Sequence, residues 1–207
     1  MADVFISLFV EEAEVGKQLK TYLIQSIGEM TGRPGPFGLG RNLGELASLP
    51  PPVDVFMSTD VPLGNDWLRD IRKALETAPV VLSLFSSRSL KRWWIHFEAG
   101  AAWLYPKKVM IPICIGSLTF KSLPRPYGDL QGLELRDDHN LGPRLEGLTE
   151  RLVTALGLKR TLSSIGPPPS LEESTKEYEL KRKKMEVATM MLRYELQQLK
   201  ASRKSPF

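Results

Sequence analysis

The sequence predicts an α/β protein, a parallel sheet with helices on both faces. Three observations carry that prediction. The runs "DVFISLF" (3–9), "PVVLSLFS" (79–86) and "KVMIPICIG" (108–116) are short, almost continuously apolar and rich in β-formers, as strands covered on both faces must be. Stretches with helical apolar spacing stand between them. The alternation recurs at the length of βαβ units, which require parallel strands.

The elements follow in order. After the first strand, Val15, Leu19, Tyr22, Leu23 and Ile27 recur at helical spacing from Glu11 to Met30. Residues 31–52, "TGRPGPFGLGRNLGELASLPPP", hold five glycines and five prolines, a loop composition without a phosphate-cradling Gly-Lys-Ser/Thr signature. "VDVFMS" (53–58) is the second strand, and "TDVPLGND" leads into a helix over Trp67–Thr77 with Leu68, Ile71, Ala74 and Leu75 inward. A helix over Ser89–Tyr105 follows the third strand. "LQGLELR" (130–136) is a short fifth strand, and Leu145, Leu148, Leu152 and Leu156 mark a last domain helix ending at Gly157.

"GPPPS" (166–170) closes a proline-rich linker, residues 161–170, between a domain over 1–160 and a tail over 171–207. Ser170 and Glu173 form a capping-box sequence, so a helix is expected from Leu171. Leu171, Tyr178, Met185, Leu192 and Leu199 fall at intervals of seven, one edge of a heptad pattern. Such a helix either lies on its own domain or pairs with another copy or a separate partner. "KRKK" (181–184) reads as a solvated face.

The 207 residues are 42% hydrophobic and carry a net charge of +4, enough for one sizeable core. Thr161 to Phe207 hold nine basic and six acidic residues, so three of the four excess charges sit in the tail and the body is almost neutral. A near-neutral body offers no broad nucleic-acid face. The single cysteine, Cys114, excludes an internal disulfide and suits a reducing compartment. His96, His139 and that one thiol are too few for a conventional zinc site, so no metal is expected. No signal peptide opens the chain and no run approaches the roughly 18 apolar residues of a membrane span, so a cytoplasmic, membrane-free protein is expected.

One motif is chemically pointed. "KRWWIHFEAG" (91–100) places the carboxylate of Glu98 among two tryptophans and a phenylalanine, and an unpaired carboxylate loses several kcal/mol in an apolar environment. Either Glu98 points to water, or the cluster walls a pocket in which Glu98 serves a ligand. Trp94 and Glu98, four apart, share a helix face. Trp93, Trp94 and Trp103 read mainly as core.

Taken in order, "VFIS", "DVPLGNDW", "LRDIRKALETA", "VVLSLFSSRSL", "WIHFEAGAAW" and "IPICI" resemble a Toll/interleukin-1 receptor (TIR) domain over residues 3 to 158, in its bacterial form. The resemblance implies a flavodoxin-like five-stranded sheet ordered 2-1-3-4-5, whose ligand crevice lies beyond the carboxyl ends of strands 1 and 3. It also implies cleavage of NAD+ at the nicotinamide–ribose bond, with Glu98 catalytic and NAD+ a substrate rather than a cofactor. Substrate-binding positions carried over are Ser7, Leu8 and Phe9 at the end of strand 1, and Asp60, Gly64 and Trp67 around the loop 59–66. Ser86 is placed at the pocket floor and Trp94 at its wall. Ser86 and Ser87 can equally be turn and cap residues. TIR–TIR contacts would build a homo-oligomer, and a separate sensor protein could dock on residues 171–207, in bacterial anti-phage defence. The other implied role is a signalling scaffold without catalysis. One departure stands out: "LFVEEAE" puts Glu11 and Glu12 where a polar nucleotide-binding stretch is usual, beside the expected place of the phosphates.

Overall fold

The computed structural model describes residues 2–33, 51–61, 64–136, 138–160 and 187–201. Its elements in chain order are β1 (Val4–Ser7), α1 (Ala13–Thr31), β2 (Val55–Met57), α2 (Trp67–Thr77), β3 (Val80–Phe85), α3 (Trp93–Trp103), β4 (Val109–Ile115), β5 (Leu133–Leu135) and α4 (Leu141–Ala155). A further helix runs over 187–201. All strand pairings are parallel and the order is β2-β1-β3-β4-β5, as the flavodoxin-like expectation requires. The linker 161–170, the tail's first stretch 171–186 and most of the loop (34–50) lie outside the described residues.

Successive strand residues point to opposite faces, and both faces are covered. Val4 and Ile6 of β1, with Leu82 and Leu84 of β3, pack with Leu19 and Leu23 of α1 and Leu145 and Leu152 of α4. Phe5, Val81 and Phe85 pack on the other side with Ile71 and Leu75 of α2 and Ile95 and Ala99 of α3. This is why the strands read as unbroken apolar runs instead of alternating ones.

Ala188, Leu192 and Leu196, spaced by four, are buried in the same cluster as α1 and α4. The helix over 187–201 is therefore laid on its own domain, and Leu192, read as part of a heptad edge, is used there. Leu68 departs from expectation: it is 50% exposed, because the inward stripe of α2 runs through Ile71, Ala74 and Leu75 and Leu68 falls at its edge.

The expected Ser89–Tyr105 helix is broken. Ser89–Lys91 form a 3-10 turn, Arg92 is extended (φ −103°, ψ 115°), and α3 starts at Trp93. The cause is local: Ser86 N–H donates to Ser89 Oγ at 2.7 Å, and Ser89 N–H donates back to Ser86 Oγ at 3.1 Å. These bonds close the turn after β3 before the helix can begin.

Before β5, a Cβ on Gly132 would be driven into the Pro112 carbonyl oxygen and the Phe120 ring. The carbonyl belongs to β4 and cannot swing aside. Gly132→Ala is expected to cost about 3 kcal/mol, read as a lowered urea midpoint; an unchanged midpoint would show that the β4–β5 edge yields freely.

Candidate functional site

The site begins with strand parity. Ser7 shares a face with Phe5, toward α2 and α3, and ends β1 at the sheet's carboxyl edge. From the opposite side α3 presents Trp94 and Glu98, one turn apart. Ser7 Oγ donates to Glu98 Oε2 at 2.5 Å, and Trp94 Nε1 donates to Oε1 at 2.8 Å. Glu98 is 0% exposed. Burial pushes its carboxyl up to about 7, against the pull of the Ser7 and Trp94 hydrogen bonds. The acid of the aromatic cluster therefore faces inward, against the carboxyl end of β1.

The indole over it is itself braced. Trp67, from the first turn of α2, lies on Trp94 with ring centroids 4.4 Å apart; Phe97 is 5.2 Å away, and Trp93 meets Trp94 edge-on at 5.1 Å. Offset and edge contacts of this kind suit the ring quadrupoles. Asp66 caps α2 by accepting from Arg69 N–H at 3.1 Å, which fixes where Trp67 stands. Trp93 and Trp103, read as core, are 72% and 51% exposed. Ile95, Ala99 and Ala102 take the inward face of α3 instead.

Around the rim, Glu12 corrects the reading of "LFVEEAE". It is buried and turned inward, accepting from the Ser86 hydroxyl and from Phe9 N–H at 3.1 Å. Burial raises its carboxyl above the ordinary range, with Ser86, Phe9 and Ser89 opposing. Glu11 pairs with Arg88 at 2.5 Å. Neither acid therefore confronts the crevice as an unpaired charge. Arg92, extended between turn and helix, lays its guanidinium 4.6 Å from the centre of the Phe9 ring, joining α3 to the end of β1.

Of the expected site residues, Ser7, Trp67, Trp94 and Glu98 come together. Phe9 stands at the rim beneath Arg92. Ser86 is held in the turn, donating to Glu12 and accepting from Arg88 and Ser89 N–H. Leu8 packs toward α1, close against Gly16. Asp60 accepts from Met57 N–H at 2.9 Å and Lys20 Nζ at 2.7 Å, so it caps the turn after β2. Gly64 has φ +87°, a conformation that favours glycine. His96 is half-buried with Nε2 2.8 Å from Leu90 O. A surface groove of about 340 Å³ runs along α2 past Asp66, Arg69, Arg72 and Glu76 and does not include Glu98.

Ser83 was not singled out from the sequence. It pairs in register with Ser7, so it lies on the same face one strand away, and its buried hydroxyl has no hydrogen-bond partner among the described residues. A serine inside the otherwise apolar "VVLSLF" was the available signal. Ser83→Ala is expected to raise stability by about 1 kcal/mol, because an orphaned buried hydroxyl is removed. A lower urea midpoint would show that the hydroxyl is satisfied in solution.

No curated protein matches the chain. The family model described as "TIR domain" matches residues 50–153, a stretch that includes Trp67, Ser86, Trp94 and Glu98 and begins after β1. With half of the chain matched and the β2-β1-β3-β4-β5 sheet in place, the chain belongs to the TIR domain family.

Proposed function

We propose that this TIR protein cleaves NAD+ at the nicotinamide–ribose bond, acts in the bacterial cytoplasm in anti-phage defence, and is switched on by assembly or by a partner sensor. The observation that carries the reading is the carboxylate of Glu98, held between Ser7 and Trp94 at the carboxyl ends of the strands, where this topology places ligands.

The chemistry asks little of the protein. The bond from ribose C1′ to the pyridinium nitrogen breaks with its electron pair going to nicotinamide, which leaves neutral and needs no acid. Positive charge grows on the sugar, as in glycoside cleavage. A nearby carboxylate stabilises that charge more in the transition state than in the ground state, and it can accept hydrogen bonds from the ribose hydroxyls. Trp94 supplies a flat wall. Attack on C1′ by water, with loss of a proton to solvent, gives ADP-ribose; attack by an adenine nitrogen gives a cyclic product.

Glu98 as described is sealed, with both oxygens occupied. Activation therefore means that Trp94 and Ser7 give way to a ribose, with assembly through TIR–TIR contacts as the trigger. The same sealing is the one observation favouring a second reading, a non-catalytic scaffold. The test is nicotinamide release by concentrated protein, with and without a crowding agent. Release that vanishes in Glu98→Ala while the circular dichroism spectrum persists supports the enzyme; no release in any assembled state supports the scaffold.

A further inference from the structure

Ser83, on β3, is fully buried, and its hydroxyl has no hydrogen-bond partner among the described residues. Such a group costs free energy in the folded state, so its neighbours show what it is placed for. Along its own strand the residues on the same face are Val81 and Phe85, both apolar. Across the sheet its register partners are Pro112 of β4 and Ser7 of β1. Pro112 brings no polar side-chain atom. Among its strand neighbours the hydroxyl within reach is therefore that of Ser7, which already donates to Glu98 Oε2 at 2.5 Å.

Paired residues of adjacent strands stand about 4.8 Å apart, with their side chains side by side on one face. Rotation about χ1 brings two serine hydroxyls at that spacing within hydrogen-bond distance. A hydroxyl has one proton to donate, and with that proton on Glu98, Ser7 has none for Ser83. The constraint holds only while Glu98 is charged, because a carboxyl that carries a proton is itself a donor.

We propose that Ser83 is a positioning residue for Glu98, the end acceptor of a buried chain Glu98–Ser7–Ser83 whose direction reverses when Glu98 takes up a proton. In the charged state Ser7 donates to Glu98 Oε2 and Ser83 is left over. In the neutral state a proton from solvent sits on Oε2. Oε2–H then donates to Ser7 Oγ, and Ser7 O–H turns to donate to Ser83 Oγ. Trp94 Nε1 stays on Oε1 in both states, and no proton passes to Ser83. The neutral state thus holds one hydrogen bond more than the charged state, and Ser83 accepts it. Ser83 thereby favours the proton-bearing form, which cannot stabilise a growing cation, and holds the working range of the site toward higher pH. That consequence for turnover rests on the NAD+ reading; the chain itself rests on sheet register and burial.

The ionisable groups around Glu98 are otherwise engaged or neutral. Cys114 of β4 and Tyr127 lie in the same apolar cluster, and burial holds both above their ordinary values. From α2, Asp66 accepts from Arg69 N–H and Asp70 from the Asn65 amide. On α3, His96 turns Nε2 to Leu90 O. In the turns beyond β1 and β3, Glu12 accepts from Ser86 and Phe9, Arg88 pairs with Glu11, and Arg92 lies over Phe9. Burial and the hydrogen bonds from Ser7 and Trp94 set the acidity of Glu98.

Titrating Glu98 itself tests the chain without NAD+. In full-length protein isotopically labelled at the glutamate side-chain carboxyl carbons, the Glu98 resonance is the one missing from Glu98→Gln. Ser83→Ala is expected to lower the midpoint of that resonance by about half a unit to one unit, the weight of one neutral hydrogen bond. In a Ser7→Ala background the same substitution is expected to move nothing, because the link between Ser83 and the acid is gone. The stability gain of Ser83→Ala belongs to the charged state, so its urea midpoint should exceed the parent's at about pH 8 and match it at about pH 5. A Glu98 midpoint in Ser83→Ala equal to or above the parent's overturns the inference. So does an equal drop in the Ser7→Ala background, which would put Ser83 in direct contact with Glu98. A gain in urea midpoint that is the same at both pH values overturns it as well. None of these readings involves nicotinamide release, so the chain can fail while the NAD+ reading stands, and stand while that reading fails.

Discussion

Glu98→Gln is expected to melt about 5–10 °C above the parent at pH 8, with most of that gap gone at pH 5. The sign follows from proton linkage. The carboxyl titrates near 4.5 when solvated and near 7 in the folded protein, so between those values the folded state binds the proton that the unfolded state has released. Stability from the protonated form is complete below pH 4.5 and is lost as pH rises through 7. Above that, the folded protein keeps an anion buried between Ser7 and the Trp94 indole at a cost of about 3 kcal/mol. Glutamine removes the charge and can keep both contacts: its oxygen accepts from Trp94 Nε1, and its amide donates to Ser7 Oγ, which rotates to accept. For a chain of this size 1 kcal/mol is worth about 2–4 °C. Differential scanning fluorimetry at the two pH values reads the effect. A variant that melts at or below the parent at both would mean that Glu98 is solvated in solution.

Trp94→Phe is expected to move the pH dependence of kcat/KM for NAD+, which reports the free enzyme in which Trp94 still holds Glu98, upward by about one unit. The phenyl ring keeps much of the stacking on Trp67 but cannot donate to Glu98 Oε1. That bond lowers the carboxyl, and removing one hydrogen bond to a charged group is worth about 1.5–2 kcal/mol, or about one unit. Since the anion is the working form, turnover at pH 6.5 should fall about tenfold and recover by pH 8.5. Ser7→Ala should shift the curve in the same direction from the other oxygen. A curve that falls uniformly without shifting would make Trp94 a spacer that leaves the proton on Glu98 unaffected.

How much of this was visible in the chain depends on what kind of force decided each feature. The strands were legible because burial on both faces leaves no polar alternation to confuse them. The bounds of α2 were legible because Asp66 caps one end and Pro79 follows the other. Trp94, Glu98 and Trp67 were legible as a set because helical spacing and the order of parts place them together. Other features depend on side-chain contacts that hydrophobic spacing does not reveal, whether near or distant in sequence. The break at Arg92 has no proline or glycine to announce it; it arises from hydrogen bonds between Ser86 and Ser89. Glu12 turns inward because Ser86, 74 residues later, donates to it. The exposure of Trp93 and Trp103 ran against residue type, since Ile95, Ala99 and Ala102 already fill the inner face of α3. Leu192 sits on a seven-residue spacing, yet the helix uses Ala188, Leu192 and Leu196, a spacing of four that a single stripe does not reveal until the receiving surface is known.

Release of nicotinamide from NAD+ by the assembled protein, followed from pH 5.5 to 8.5 in the parent and in Glu98→Gln, tests the central claim most directly. The expected result is a parent kcat/KM rising with pH through a midpoint near 7, the value of the free enzyme, and a Glu98→Gln rate at least about a thousandfold lower at every pH. A glutamine variant turning over at the parent's rate, or a parent that assembles and releases no nicotinamide, would contradict it.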